Sequence, residues 1–267
     1  MKRLFLVMAA MTAASAASAA DLPGRAAVVA PSFAAPAFTW TGFYVGANAG
    51  YTWSDADAEM VSVGGNLLPV DIRNGVFPTN IGIDREAFIG GAQAGYNMQF
   101  GMFVAGAEAD ISWAGSQDSK TYSVIDPAPP PWPFAGALTN STFGTELEWL
   151  ATFRLRGGIA VDRALFFVTA GVAGGEVTNS FGIGIPMIAY NKTWSRSDTE
   201  WGAVVGGGME YALTDSISLK AEYLYYNLGD RTIHASDPAT AGFGAEFIDY
   251  KFKNDGNIVR GGVNVRF

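Results

Sequence analysis

Residues 257–267, which read NIVRGGVNVRF, end the chain and decide its fold. Apolar side chains occupy one parity of this stretch from Val259 to Phe267, whereas Arg260, Asn264 and Arg266 occupy the other. Successive side chains of a β-strand point to opposite faces. The pattern therefore predicts a terminal β-strand with one apolar face and one charged face.

Seven stretches upstream have a similar length, and six of them repeat this alternation. In residues 147–159, Trp149 and Phe153 share one face and Arg154 and Arg156 share the other. Each stretch is about as long as the 9–11 residues that a tilted strand needs to cross a bilayer. With the terminal strand they predict eight strands. The seven stretches are residues 43–53, 88–98, 102–113, 147–159, 164–177, 201–211 and 217–226. Residues 164–177 are apolar on both parities, which leaves their orientation open.

The predicted connections alternate strictly between long and short. Residues 99–101, 161–163 and 212–216 are short, and the long polar connections are residues 54–87, 114–146, 178–200 and 227–256. This order places all long connections at one end of a barrel and both chain termini at the other. Short periplasmic turns and longer outer loops are typical of outer-membrane barrels. The sequence therefore predicts an all-β, eight-stranded antiparallel transmembrane β-barrel with four long outer loops and three short periplasmic turns.

The aromatic residues indicate which face of the strands meets lipid. Tryptophans such as Trp53 and Trp201 lie on the apolar face near the long loops, and Phe43, Phe103 and Phe267 lie on it near the short turns. Two aromatic bands on an apolar face match the girdles at the two membrane interfaces. The charged face is then the lumen.

The lumen is predicted to hold a network of paired charges. An eight-stranded barrel is just wide enough for side chains to fill, and an unpaired buried charge is costly. A mutually paired plug is therefore favoured over a path for protons or ions. The predicted members are Glu108, Glu148, Arg154, Arg156, Glu210, Lys220, Glu222, Arg260 and Arg266.

The N-terminus has the pattern of a secretory signal. Lys2 and Arg3 precede an apolar core, and small residues around Ala17 and Ala19 form a cleavage zone. The predicted organisation is a signal peptide at 1–20, a Pro- and Ala-rich leader at 21–37 and a barrel at 38–267, located in the outer membrane. The chain has no cysteine, which excludes disulfides, and its formal charge of −8 argues against a nucleic-acid partner.

Two end motifs carry a resemblance to a known family. FTWTGFYVGANAGYTW at residues 38–53 and GGVNVRF at residues 261–267 resemble the small major outer-membrane proteins of alpha-proteobacteria, and the leader ADLP is also similar. That family has an OmpA-like eight-stranded barrel, is often labelled a porin family and includes haemin-binding surface proteins. The resemblance implies that Phe267 is an assembly signal for the outer-membrane insertion machinery. Outer-membrane lipids and lipopolysaccharide are the other implied partners, and the surface ligand stays unknown.

The sequence favours a structural or surface-interaction role without catalytic activity. A porin-like narrow channel and a haemin-binding or uptake protein are the alternatives, and a membrane-embedded hydrolase is a weaker one. His234, the only histidine, is predicted to lie in the last outer loop and is the candidate haem ligand, although no cofactor is expected. A triad of His234 with Ser236 and Asp237 is disfavoured because near neighbours in a loop rarely reach triad geometry. No metal site is predicted.

Overall fold

The computed structural model describes residues 38–237 and 246–267, so the predicted signal peptide and leader lie outside the described residues. The described residues form eight antiparallel strands that close into a barrel in chain order, as predicted. A short helix, α1 (Leu68–Arg73), follows the first strand, and a 3-10 turn spans Pro186–Ile188. The strands are β1 (Gly42–Gly64), β2 (Asn80–Phe100), β3 (Phe103–Ile125), β4 (Leu138–Val161), β5 (Ala164–Ile185), β6 (Tyr190–Ala212), β7 (Ile217–Asp237) and β8 (Glu246–Arg266).

In the described part of the chain, no helix is both long enough and apolar enough to cross a membrane.

The terminal strand closes the barrel. β8 pairs with β1 in a register that opposes Tyr44 to Arg266 and Trp53 to Asn257. The backbone N–H of Phe267 donates to the carbonyl of Phe43 at 2.9 Å, and the Phe267 ring is 80% exposed on the outer face. This pairing gives both terminal strands a neighbour on each side, so the membrane-spanning part has no free edge.

The strands are longer, and the outer loops shorter, than the alternation of hydrophobicity predicts. Each strand has 21 to 24 residues, roughly twice what is needed to cross a bilayer. The predicted loops consist largely of strand, and the segments between described strands shrink to residues 65–79, 126–137 and 186–189. Beyond the membrane the outward side chains meet water and become polar, so the apolar stripe that marks a strand in the sequence ends there.

In the outer half, the barrel wall divides into two sheets. Pairing of β2 with β3 ends at Ile89 and Ala114, and pairing of β6 with β7 ends at Ala203 and Asn227. The other strand pairs continue outward, although several carry a bulge at this level. One sheet therefore consists of β7, β8, β1 and β2, and the other of β3, β4, β5 and β6.

The apolar face points outward in the membrane-spanning half, as predicted. Phe43, Phe103 and Phe267 are exposed at the end with the short turns, and Trp113 and Trp201 are exposed towards the outer end. The structure also orients β5, because Leu165 and Phe167 lie on alternate positions that face the interior. The outside is thus a continuous apolar belt, and the inside receives the polar parity of the strands.

Candidate functional site: the charged interior of the barrel

Four carboxylates and four cations meet inside the membrane-spanning half. We call them the central network; all are buried, because each falls on the inward parity of its strand. Those strands surround the interior, so the side chains converge from several directions on the axis. The members are Glu108 and Asp110 on β3, Arg154 and Arg156 on β4, Glu210 on β6, Lys220 and Glu222 on β7, and Arg260 on β8.

Arg154 is the hub of the network. Its Nη1 lies 2.9 Å from Oε2 of Glu222, and its Nη2 lies 2.7 Å from Oδ2 of Asp110 and also contacts Glu108. Arg260 bonds the other oxygens of the same two acids, with Nε at 2.7 Å from Glu222 and Nη1 at 2.8 Å from Asp110. Two arginines thus hold two carboxylates from both sides, which is the geometry that makes a buried ion pair favourable.

Lys220 and Arg156 extend the network along the barrel. The Lys220 ammonium lies 2.8 Å from Glu108 and 3.0 Å from Glu222. Arg156 lies 3.0 Å from Glu210 and donates to the Tyr44 hydroxyl at 3.0 Å, and that hydroxyl donates to Glu108 at 2.7 Å. The guanidinium of Arg156 also stacks 4.0 Å from the ring centroid of Phe167. The central network is therefore neutral as a whole and connected without a gap.

Apolar layers fill the interior on either side of the central network. The outer layer packs aromatic rings between the two sheets, with ring centroids of Phe143 and Phe181 at 5.0 Å and of Phe143 and Tyr250 at 4.8 Å. Apolar side chains pack together inside the barrel at three levels, as expected for its small strand number. The three apolar layers include Trp40 and Leu165 near the short turns, Val204 and Leu224 next to the network, and Phe143 and Phe181 at the outer end.

Comparison with known proteins agrees with this architecture. Residues 4–267 match the sequence model of a family described as the outer membrane protein beta-barrel domain. The chain belongs to this family. The family places it in the outer membrane, as the sequence predicted, and the named relatives come from alpha-proteobacteria, which confirms the resemblance of the two end motifs.

Two named relatives illustrate the match to the family. The chain is 32% identical to the 31 kDa outer-membrane immunogenic protein of Brucella melitensis, over the full length of both. It is 26% identical to the 22 kDa outer membrane protein of Rhizobium leguminosarum bv. viciae, covering 87% of this chain and 80% of that one. Among solved structures, the outer membrane protein OprG of Pseudomonas aeruginosa aligns with 12% identity and a TM-score of 0.43, over 85% of this chain and 97% of that one.

The prediction that Glu148 faces the lumen is wrong. Glu148 is exposed, because a β-bulge between Leu147 and Trp149 shifts the register of β4 against β5. The neighbouring pairing with β3 shifts at the same level. In β4, inward positions are even-numbered on the side of the bulge nearer the short turns and odd-numbered on the outer side, so Leu147 points inward. A bulge adds one residue and reverses the parity beyond it, which strict alternation in the sequence does not reveal.

Arg266 lies inside the barrel but apart from the central network. Its guanidinium stacks on the rings of Phe38 and Trp40, 4.6 and 4.7 Å from their centroids, and donates to the carbonyls of Thr39 and Asp215. It therefore seals the end of the barrel that carries the short turns. Asp110 and Tyr44 were missed as network members, although both lie on the polar parity of their strands and could have been found there.

His234 lies in β7, not in a loop as predicted, because β7 extends to Asp237. The His234 ring is exposed, its Nδ1 lies 2.5 Å from Oδ1 of Asp249 on β8, and its centroid is 5.4 Å from that of Phe247. The carboxylate beside the imidazole is thus Asp249 and not one of the two residues of the disfavoured triad. Within the described residues, no group of three or more potential metal ligands occurs.

Proposed function

We propose that this outer-membrane protein has a structural and surface-interaction role, with a lumen that does not conduct solutes. The observation that carries the proposal is the pair formed by Arg154 of β4 and Glu222 of β7, which lie on strands that are not neighbours. Their side chains meet inside the barrel rather than along its wall. Because the pair is embedded in the central network and covered by apolar layers, a sugar would have to break several buried ion pairs to pass.

Uptake of sugars by liposomes tests the closed lumen. Liposomes that contain the purified protein should take up a disaccharide no faster than liposomes without protein. A known open porin reconstituted at the same ratio provides the positive control. Uptake above the protein-free rate would favour the narrow-channel alternative and end the proposal of a closed lumen.

The surface-interaction part of the proposal rests on apolar side chains at the outer end, beyond the lipid belt. Met187 and Ile188 are 58% and 50% exposed in the connection between β5 and β6. Ile125 and Leu138 are exposed where β3 ends and β4 begins. Apolar residues grouped on a water-facing surface are typical of contact with a partner.

Attachment of whole cells tests this part. Cells that display the protein should adhere to a protein-coated surface, and Met187→Ser with Ile188→Ser should reduce adhesion. Thr193→Ala, at an exposed polar position of β6, is the control. Equal adhesion of the double variant and the wild type would show that Met187 and Ile188 are not part of the contact surface.

Haemin binding is a second candidate, favoured by the environment of His234. Asp249 engages Nδ1, which leaves Nε2 of the exposed ring as the nitrogen for an iron ligand. Phe247 lies beside the ring and offers an apolar contact. A haemin titration followed by the Soret band should saturate for the wild type and not for His234→Ala, whereas Thr232→Ala, two residues away on the same face, should behave as the wild type. Equal titrations of all three proteins would remove His234 as a ligand.

A further inference from the structure

Arg85 is a buried cation outside the central network. It lies on β2 opposite Ser54 of β1, points into the interior and is 1% exposed. Its Nη2 donates to the Tyr226 hydroxyl at 2.8 Å and to the carbonyl of Asp255 at 3.4 Å. Nε and Nη1 are buried and have no hydrogen-bond partner. Two of the three guanidinium nitrogens therefore lack an acceptor.

The charge of Arg85 is also uncompensated. Among the described residues, no carboxylate lies within ion-pair distance of its guanidinium, whereas each cation of the central network contacts at least one. A buried charge without a counter-charge costs several kcal/mol. Both neighbouring contacts are neutral oxygens, which satisfy hydrogen bonds but leave the positive charge in place.

Further polar groups without partners lie at the same level. Thr52 Oγ1 and both side-chain polar atoms of Asn254 are buried and unbonded, and they flank Ser54 and Asp255 on the inward faces of β1 and β8. On the opposite sheet, Thr145 and Asn179 are paired in register and each has an unbonded oxygen. Apolar layers lie on both sides of this level. Buried polar groups normally have partners, so these atoms indicate an occupant.

We infer that Arg85 holds a small monovalent inorganic anion between the two sheets. A halide or nitrate fits the charge, because one guanidinium offers one positive charge and two free N–H donors, and the Thr52 hydroxyl and Asn254 amide can donate as well. A sulfate or phosphate dianion would leave a net negative charge in an apolar surrounding. The site lies next to the level at which β2 and β3 cease to pair.

Anomalous scattering from crystals grown in bromide tests the inference directly. The wild type should show a bromide peak within hydrogen-bond distance of Nε or Nη1 of Arg85. A density that scatters as water at that position would overturn the inference. This measurement needs no variant, so it stands even if removal of Arg85 prevents folding.

Thermal unfolding in detergent provides the second test. Replacing sodium gluconate by sodium chloride or bromide at constant ionic strength should raise the Tm of the wild type. The shift should disappear in Arg85→Met. It should persist in Arg163→Met, which removes a partly exposed arginine paired with Asp215. An equal halide shift in wild type and Arg85→Met, or no shift in the wild type, would contradict a site at Arg85.

Discussion

Arg154 of β4 and Glu222 of β7 meet inside the barrel, with 2.9 Å between Nη1 and Oε2. Neither strand pairs with the other in the wall, so this contact joins side chains across the lumen. Arg154 also contacts Glu108 and Asp110, so it forms ion pairs with three of the four carboxylates of the central network.

Replacing Arg154 should destabilise the folded barrel strongly. Arg154→Met removes one cation from three carboxylates, and breaking a buried pair from one side costs about 3–5 kcal/mol. Urea unfolding of protein refolded in detergent measures the loss. Arg196→Met is the control, because Arg196 pairs with Asp198 on the exposed outer part of β6 and such pairs contribute at most about 1 kcal/mol. Equal losses in both variants would contradict the buried network.

Deleting Phe267 should impair assembly more than stability. The ring is 80% exposed towards lipid, and complete burial of such a side chain in an apolar phase contributes about 2–3 kcal/mol. The deletion should lower the amount of inserted protein in cells far more than the unfolding free energy of refolded protein. Phe100→Ala removes a similarly exposed ring from the same end of the barrel without changing the terminus, and it should insert normally.

A normal yield of the Phe267 deletion in cells would show that the insertion machinery does not depend on the terminal aromatic residue. It would not contradict the pairing of β8 with β1, because residues 44–53 of β1 pair with β8 through backbone hydrogen bonds.

The bulge in β4 predicts opposite accessibilities for two positions. The chain has no cysteine, so a single introduced cysteine is the only thiol that can react with a labelling reagent. Glu148→Cys should react readily with a charged thiosulfonate reagent in detergent-solubilised protein, because Glu148 is exposed. Ser112→Cys, at an inward position that is 2% exposed, should be protected. Protection of both thiols would show that Glu148 faces the lumen and that β4 has no bulge at this place.

The connection that contains α1 should lose protection as the pH rises. Asp71 is buried, and burial with the nearby charge of Asp126 raises its pKa from 3.8 to about 6 although Trp132 Nε1 donates to it. A carboxyl whose folded pKa is raised stabilises the fold in its neutral form, so this contribution is complete below about 4 and is lost as the pH passes 6. Hydrogen-exchange protection factors of residues 68–76 should therefore fall between pH 4 and pH 7.

Asp71→Asn should abolish this dependence on pH, because the amide stays neutral and can still accept from Trp132. An unchanged dependence on pH in the variant would show that Asp71 does not cause it.

Much of the fold follows from the sequence because alternation along a strand is a direct consequence of lipid outside and packed side chains inside. The outward aromatic residues and the inward position of Arg154 and Glu222 follow in the same way. Two features do not follow from the sequence. Above the membrane both environments of a strand change, so the extensions of β3 and β4 resemble polar loops. The β-bulge at Leu147 exchanges the inward and outward positions of β4 beyond it, and no residue type at this place in the sequence indicates a bulge.

The partners of the interior charges could not be read from the sequence either. Parity places Glu108 and Arg156 inside, but which acid meets which cation depends on the stagger of strands that are distant in the chain. The burial of Arg85 could not be read from the sequence either. The sequence places Arg85 in a predicted outer loop, whereas the structure buries it on β2.

Single-channel recording in a planar bilayer tests the central claim of a closed lumen most directly. Wild-type protein, inserted at neutral pH and moderate salt, should give no stable conductance steps, because ions would have to pass the buried central network around Arg154 and the apolar layers. Regular, long-lived steps that scale with salt concentration would contradict it and identify the barrel as a channel.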